Sequence, residues 1–278
     1  MGKFDTSGLG KWSQERTFDV ARKRIAEYAA ATNDPIAAHR NGEVASPAFA
    51  IVPVFESMLE PVFNVVPKEL AGFGVHSGMD FRFHRPIEPG DKLVARGQMI
   101  GFEGKPNGTP AHVVMECRTI DGDLVNTQHI SVFVRGVDAG ETIGELAPGH
   151  RFPDALRAVE PVATVAAHVD DDQTFRYSTA AGDPMPIHLD AEFAKKMGLP
   201  GIIAHGMCTL AFASWAVLTE VGDSDVRRLR RFAGRFAKPV LPGQDLTTRI
   251  WQGADATFHY ETSVGAEVVV RDGLAEFW

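Results

Sequence analysis

The segment YAAATNDPIAAH, from Tyr28 to His39, returns as YSTAAGDPMPIH from Tyr177 to His188. Tyr28, Ala31, Asp34, Pro35 and His39 meet Tyr177, Ala180, Asp183, Pro184 and His188 at a constant offset of 149 residues. A second pair, RFHRPIEPGDKL (Arg82 to Leu93) and RFAKPVLPGQDL (Arg235 to Leu246), shares six residues at an offset of 153. The difference places a small insertion in the second half, between the two motifs. A unit this long that occurs only twice is not a solenoid repeat and reads as two tandem copies of one small fold. With 278 residues, 44% of them hydrophobic, the chain can fill both cores. We divide it at residue 150, into 1–150 and 151–278, within a Gly-, Pro- and acid-rich linker from Gly136 to Pro161.

Each copy shows the same order of elements. In the second, QTFRYSTAAG predicts a short helix and Asp190 to Met197 another that stops at Gly198, and the apolar run Gly206 to Val221 predicts a long one. RRLRRFAGRFAKPV, DLTTRIWQG, ATFHYETSVG and AEVVVRDGLAEFW then predict strands. In the first copy the long helix is expected over AFAIVPVFESMLEPVF, despite Pro53, before four strands between Gly74 and Gly136. A helix followed by antiparallel strands, twice over, is an α+β arrangement in which a sheet wraps a central helix.

The net charge of -8 argues against a nucleic-acid surface while leaving room for a local basic patch. Two cysteines, Cys117 and Cys208, have no paired spacing, so neither a disulfide framework nor a zinc site is indicated. No run approaches the roughly 18 apolar residues of a membrane span, and the N-terminus lacks a signal peptide's apolar core. A cytoplasmic protein is expected.

Asp183 and His188 are side chains readily tuned to exchange protons near neutral pH, and together they could hold one water. Pro184 and Pro186 exclude a continuing helix, so the two converge only if the chain rounds a bend. Gly206 opens the last long helix, where free amides and the helix dipole favour a developing negative charge. An acid/base pair with an oxyanion donor fits proton abstraction or water addition beside a carbonyl. Spacing alone leaves blander readings open: Asp183 as an Asx turn, His188 as a bonded core residue, Cys208 as a buried thiol. His205 could complete a metal set with Asp183 and His188, but no short-spaced His pair supports one, and no metal is expected.

Tyr177, Gly182-Asp183, Pro186-Ile187-His188 and then IIAHGM leading into an apolar helix resemble the hydratase motif of MaoC-like dehydratases and (R)-specific enoyl-CoA hydratases. The resemblance implies a double hotdog, two tandem copies of a long helix wrapped by an antiparallel sheet. It implies reversible hydration of trans-2-enoyl thioesters to (R)-3-hydroxyacyl thioesters. Asp183 and His188 would polarise the water and the Gly206 amide would hold the thioester oxygen. The substrate partner would be an acyl-CoA or acyl-carrier thioester, with coenzyme A entering as part of the substrate and no further cofactor. Met185 stands where the family most often has Asn and cannot replace an amide's hydrogen bonds; with His205 it is expected beside the substrate.

The first copy keeps Asp34, Pro35 and His39 but has AFAIVPV opposite GIIAHGM, so it lacks the His-Gly element. In duplicated members of the family such a copy shapes the acyl pocket, and Asp34 and His39 would be structural relics. The phosphates of a carrier call for local positive charge. RRLRRFAGRFAK supplies Arg227, Arg228, Arg230, Arg231, Arg235 and Lys238, of which Arg235 and Lys238 are the substrate-binding candidates, unless the run only guards a solvated edge strand. On a strand, Arg231 and Arg235 would share one face, Arg228 and Arg230 the other. A thioesterase and a non-catalytic acyl-binding protein are the competing functions. Two hotdogs in one chain already match a two-subunit assembly, and a homodimer of the whole chain is a further expectation.

Overall fold

The computed structural model describes residues 4–278, the side chain of Ala71 excepted. In chain order the first half holds β1 (Arg16–Asp19), α1 (Arg22–Ala31), α2 (Ala37–Arg40), α3 (Phe55–Phe63), β2 (Gly74–Phe83), β3 (Lys92–Glu103), β4 (Gly108–Thr119), β5 (Leu124–Arg135) and β6 (Thr142–Gly144). The second half holds β7 (Ala163–His168), α4 (Gln173–Ala181), α5 (Ala191–Lys196), α6 (Gly206–Val221), β8 (Leu229–Phe236), β9 (Asp245–Gln252), β10 (Thr257–Val264) and β11 (Glu267–Phe277).

The chain forms two compact units. The first runs up to Asp19 and takes in Pro53–Arg82 and Lys92–Gly149; the second comprises Val20–Val52, Phe83–Asp91 and His150–Trp278. The motif segment of the first copy, with Tyr28, Asp34 and His39, thus clusters with the second half of the sequence.

In the first unit the strands run β1-β3-β4-β5-β2, with β6 pairing β3. α3 lies on β3 and β4, and the Ser57 hydroxyl donates to the Ala95 carbonyl at 3.3 Å. The long helix expected from Ala48 is not continuous. Pro47–Ile51 is a tight 3-10 turn and α-helix begins only at Phe55. Pro53 explains the break, since it has no N–H to give and its ring would collide with the carbonyl four residues back.

In the second unit the order is β8-β11-β10-β9-β7, antiparallel, with Phe236 opposite Val270, Ala275 opposite Phe258, Tyr260 opposite Ile250 and Thr248 opposite Val165. The sheet wraps α6, which touches all five strands. Every residue of α6 from Met207 to Leu218 is buried, as a helix that is apolar all round requires. Its Leu and Phe side chains stabilise the unit by about 1.5–3 kcal/mol each. The buried turn Pro47–Ile51 also packs on α6, so the first half of the sequence supplies part of this core.

Candidate active site

Asp183 is placed by the end of α4. Gly182 adopts φ 76°, the left-handed conformation that glycine takes without a Cβ clash, and stops the helix. The Ser178 carbonyl accepts from the Gly182 and Asp183 amides at 2.9 and 3.1 Å, while the Ser178 hydroxyl donates to the Asp183 carbonyl at 2.7 Å. Asp183 Oδ1 accepts the Met185 N–H at 3.2 Å, so the Asx turn forms and still leaves the other carboxylate oxygen outside it. Pro186 then opens a single 3-10 turn, Pro186–His188, which bends the chain back. Asp183, His188 and His205 bring ligand-type atoms within 4.8 Å of one another.

His188 is buried, and its Nδ1 lies 2.8 Å from the Ile203 carbonyl. A carbonyl only accepts, so Nδ1 carries the hydrogen and Nε2 presents a lone pair. The ring stacks on His205, centroids 3.7 Å apart and planes 25° apart. His205 in turn donates through Nε2 to the Asp183 carbonyl at 3.2 Å. The two acceptors, the Asp183 carboxylate and His188 Nε2, are held from behind by backbone. Ligand-type atoms within 4.8 Å of one another can be bridged by one water with hydrogen bonds of about 2.8 Å to each.

Burial sets the charges. It pushes the Asp183 carboxyl up to about 6, against the Met185 amide, which favours the anion. Burial pulls His188 down to about 4 and His205 to about 3, the nearby His188 adding to the latter. Near neutral pH both imidazoles are uncharged and Asp183 is an anion close to its titration point. A carboxylate poised this way can take a proton and return it.

Gly206 is the first residue of α6, and His205 before it gives no side-chain cap. The first amides of a helix have no intrahelical acceptor, and here they adjoin the stacked histidine. Gly206 therefore supplies an N–H at the positive end of a sixteen-residue helix.

Asp183, His188 and His205 are also the residues that could hold a metal ion. The imidazole lone pairs lie in the ring planes, and in two rings stacked 25° from parallel they run side by side. They do not converge on one point about 2.0–2.1 Å away, as zinc would need. The set fits a water better than a metal.

The remaining candidates are more dispersed. Met185 contributes its backbone amide to the Asx turn, and its residue is 46% exposed. Arg235 lies 3.6 Å from Asp272 and Lys238 3.3 Å from Glu267, all pairs with β11. Arg227 pairs with Glu88 and Asp225, Arg228 with Asp223, and Arg230 and Arg231 with Glu276. Arg228 is not on a strand, as the alternation required, but in the 3-10 turn Val226–Arg228, because the Asp225 side chain caps that turn before β8 begins.

The first copy repeats the backbone of the site but not its opening. Asp34 accepts the Ile36 N–H at 2.9 Å and its own amide donates to the Ala29 carbonyl, matching Asp183 bond for bond. Here, however, His39 Nδ1 bonds the Asp34 carboxylate directly at 2.7 Å, with both side chains essentially inaccessible. No water can enter between them. Sequence reasoning missed two supports of the working pair. The Ile203 carbonyl carries no residue-type signal; Ser178 precedes Asp183 by five residues, in a helix whose end the sequence did locate.

Comparison with known proteins agrees with this geometry. Residues 156–272 match the MaoC-like domain, and residues 7–128 match the FAS1-like dehydratase domain region. The chain is 31% identical over 242 residues to 3-hydroxyacyl-thioester dehydratase Y of Mycobacterium tuberculosis, covering 82% of this chain and 81% of that one. The chain belongs to the MaoC-like dehydratase family. Peroxisomal enoyl-CoA hydratase 2 of Arabidopsis thaliana is 28% identical over 229 residues, 77% of this chain and 72% of its own. The crystal structure of a MaoC-like dehydratase from Phytophthora capsici superposes with a TM-score of 0.81 at 22% identity, covering 96% of each chain. The fold of this family member is the double hotdog.

Proposed function

We propose that the chain is a hydro-lyase that adds water reversibly across trans-2-enoyl thioesters to give (R)-3-hydroxyacyl thioesters, with Asp183, His188 and Gly206 as its working groups. The observation that carries this is the open acceptor pair, a half-buried carboxylate and a neutral imidazole nitrogen held apart by backbone, with the imidazole stacked on His205, the residue directly before the first residue of α6.

Water donates one hydrogen to His188 Nε2 and the other to the Asp183 carboxylate, which leaves an oxygen lone pair for C3. As the C3–O bond forms, the proton passes to Asp183, and the electron pair of the double bond moves toward the thioester oxygen. The Gly206 N–H accommodates the charge on that oxygen. Protonated Asp183 then gives its proton to C2. Every proton is accounted for, and dehydration is the same path in reverse.

Arg235 and Lys238 are the cations offered to a carrier's phosphates. Both are more than half exposed, and such exposed ion pairs are worth about 0–1 kcal/mol, so a phosphate can exchange into them. Pro47–Ile51, packed on α6, serves as the first half's contribution to the acyl side of the site. The same reading has the enzyme acting in the cytoplasm, which suits its two buried free thiols. Leu59 and Phe63, one helical turn apart on α3 and both about 40% exposed, offer a face for pairing two chains. Among the described residues no helix is long and apolar enough to cross a membrane.

The test is to follow an enoyl-CoA by its enoyl absorbance and by free thiol together. Loss of absorbance without thiol release is the expected result; thiol release would make the protein a thioesterase.

A further inference from the structure

We infer that His205 is a positioning residue for the hydration step, clamping His188 and Asp183 in one relative orientation, and that Tyr28 of the first copy completes the clamp from behind. This rests on the reading of Asp183 and His188 as the water-holding pair.

His205 touches both members without joining the proton path assigned to them. Its ring face lies 3.7 Å from that of His188, and its Nε2–H reaches the Asp183 carbonyl at 3.2 Å. The residue is 1% exposed. Among the described residues its Nδ1 has no hydrogen-bond partner, so its directed contacts there run through Nε2 and the ring faces. One rigid group thus fixes the plane of His188 and the backbone position of Asp183. For two groups that must share one water, those are the degrees of freedom that matter.

Behind His205 the support continues as a line of rings. Tyr177 lies 4.7 Å from it and Tyr28 5.5 Å from Tyr177, with the two hydroxyls 3.3 Å apart; Phe49 closes the line edge-on, 5.4 Å from Tyr28. Tyr28 and Phe49 come from the copy that lacks an open pair. Neither tyrosine can ionise in the working range, because burial pushes both hydroxyls above their ordinary value of 10, so this is a packing device and not a proton relay. A mere core contact would affect stability alone. A clamp affects the turnover of bound substrate.

Two substitutions separate the arms of the clamp. His205→Gln keeps an N–H near the Asp183 carbonyl but loses the stacked ring, whereas His205→Phe keeps a ring and loses the donor. Each is expected to lower kcat on an enoyl-CoA by about ten-fold with KM within two-fold, at a temperature where circular dichroism shows the variant folded. Tyr28→Phe, which removes one hydroxyl, is expected to lower kcat two- to five-fold. In the Tyr28→Phe, His205→Gln double variant the losses are expected to be less than multiplicative, because both act through the same stack. The inference is overturned if kcat stays within two-fold for both His205 variants, if KM rises in proportion to any loss, or if the Tyr28 and His205 effects multiply. Asp183→Asn serves as the control in the same assay. If it too retains turnover, the reading of the pair has failed; if it is inactive while the His205 variants are not, only the clamp has.

Discussion

Tyr28 and Tyr177, equivalent positions in the internal repeat, touch each other: their hydroxyls are 3.3 Å apart and both residues are buried. Two equivalent residues meet only where the symmetry relating their motifs passes between them. The duplication read from the sequence is therefore present as a contact, and the two Asp-His segments descend from that contact to different ends. One is dry and closed; the other is open to a water.

The same substitution should have opposite effects on stability at the two sites. Asp183 is a carboxylate whose folded pKa is raised, to about 6 from an ordinary 3.8. Between these values the folded state keeps a proton that the unfolded state releases, so stability falls as pH rises through the window and stays lower above it. Asp183→Asn retains an acceptor for the Met185 N–H and removes the ionised group. Its melting temperature is expected to exceed the parent's at pH 7, by the equivalent of about 2–3 kcal/mol, and to match it near pH 3.5. Thermal melts at the two pH values check this.

Asp34→Asn keeps one oxygen for the Ile36 N–H and turns an amide N–H toward His39 Nδ1, which lies 2.7 Å from the carboxylate in the parent, so the buried bond is lost or the imidazole must change tautomer. An unsatisfied buried polar group costs about 1–3 kcal/mol, so calorimetry should show melting lowered by about 3–10 °C. A rise would mean that this pair, too, is held for function at the expense of stability.

Turnover should follow the ionisation of Asp183. Hydration needs the carboxylate, so kcat/KM, which reports the free enzyme, is expected to rise with pH to half its plateau near 6 and then stay level. His188 is neutral down to about pH 4 and adds no limb above that. A half-maximum below pH 4.5 in the kcat/KM profile would remove Asp183 as the base.

Proline at the start of α6 isolates the oxyanion donor. Gly206 is the first helical residue, a position that accepts proline, and His205 at φ -59°, ψ 134° already has the conformation that precedes one. Gly206→Pro should keep the helix by circular dichroism and lower kcat about 10²–10³-fold, because the amide hydrogen is lost while the added Cβ meets the Phe236 ring at 3.4 Å, ordinary van der Waals contact. Unchanged turnover would show that the thioester oxygen lies elsewhere.

The sequence announced the parts whose cause is local. Gly182 and Gly198 end helices at positive φ, Asp190 caps α5, and the unbroken apolar run from Met207 becomes the buried α6. The paired prolines at 184 and 186 did bend Asp183 and His188 together. What it hid depends on the neighbours of each residue. Pro53 looked tolerable in an apolar run, yet it breaks the first copy's long helix. The four residues of β1 are too few to alternate visibly, and β7, whose exposure does alternate, is built of Ala, Thr, Val and His with little hydrophobic contrast between its faces. The aligned tyrosines were visible in the repeat, but their mutual contact, and the stacking of His205 on His188, arise only when distant segments pack.

The most direct measurement compares Asp183→Asn and Asp34→Asn on one enoyl-CoA, at equal folded concentration. The open pair in the second copy should carry the chemistry alone. Asp183→Asn is expected to lose at least about 10²–10⁴-fold in kcat, while Asp34→Asn stays within about three-fold of the parent, since its carboxylate is buried and bonded to His39. Equal losses in the two variants, or full activity in Asp183→Asn, would contradict the account.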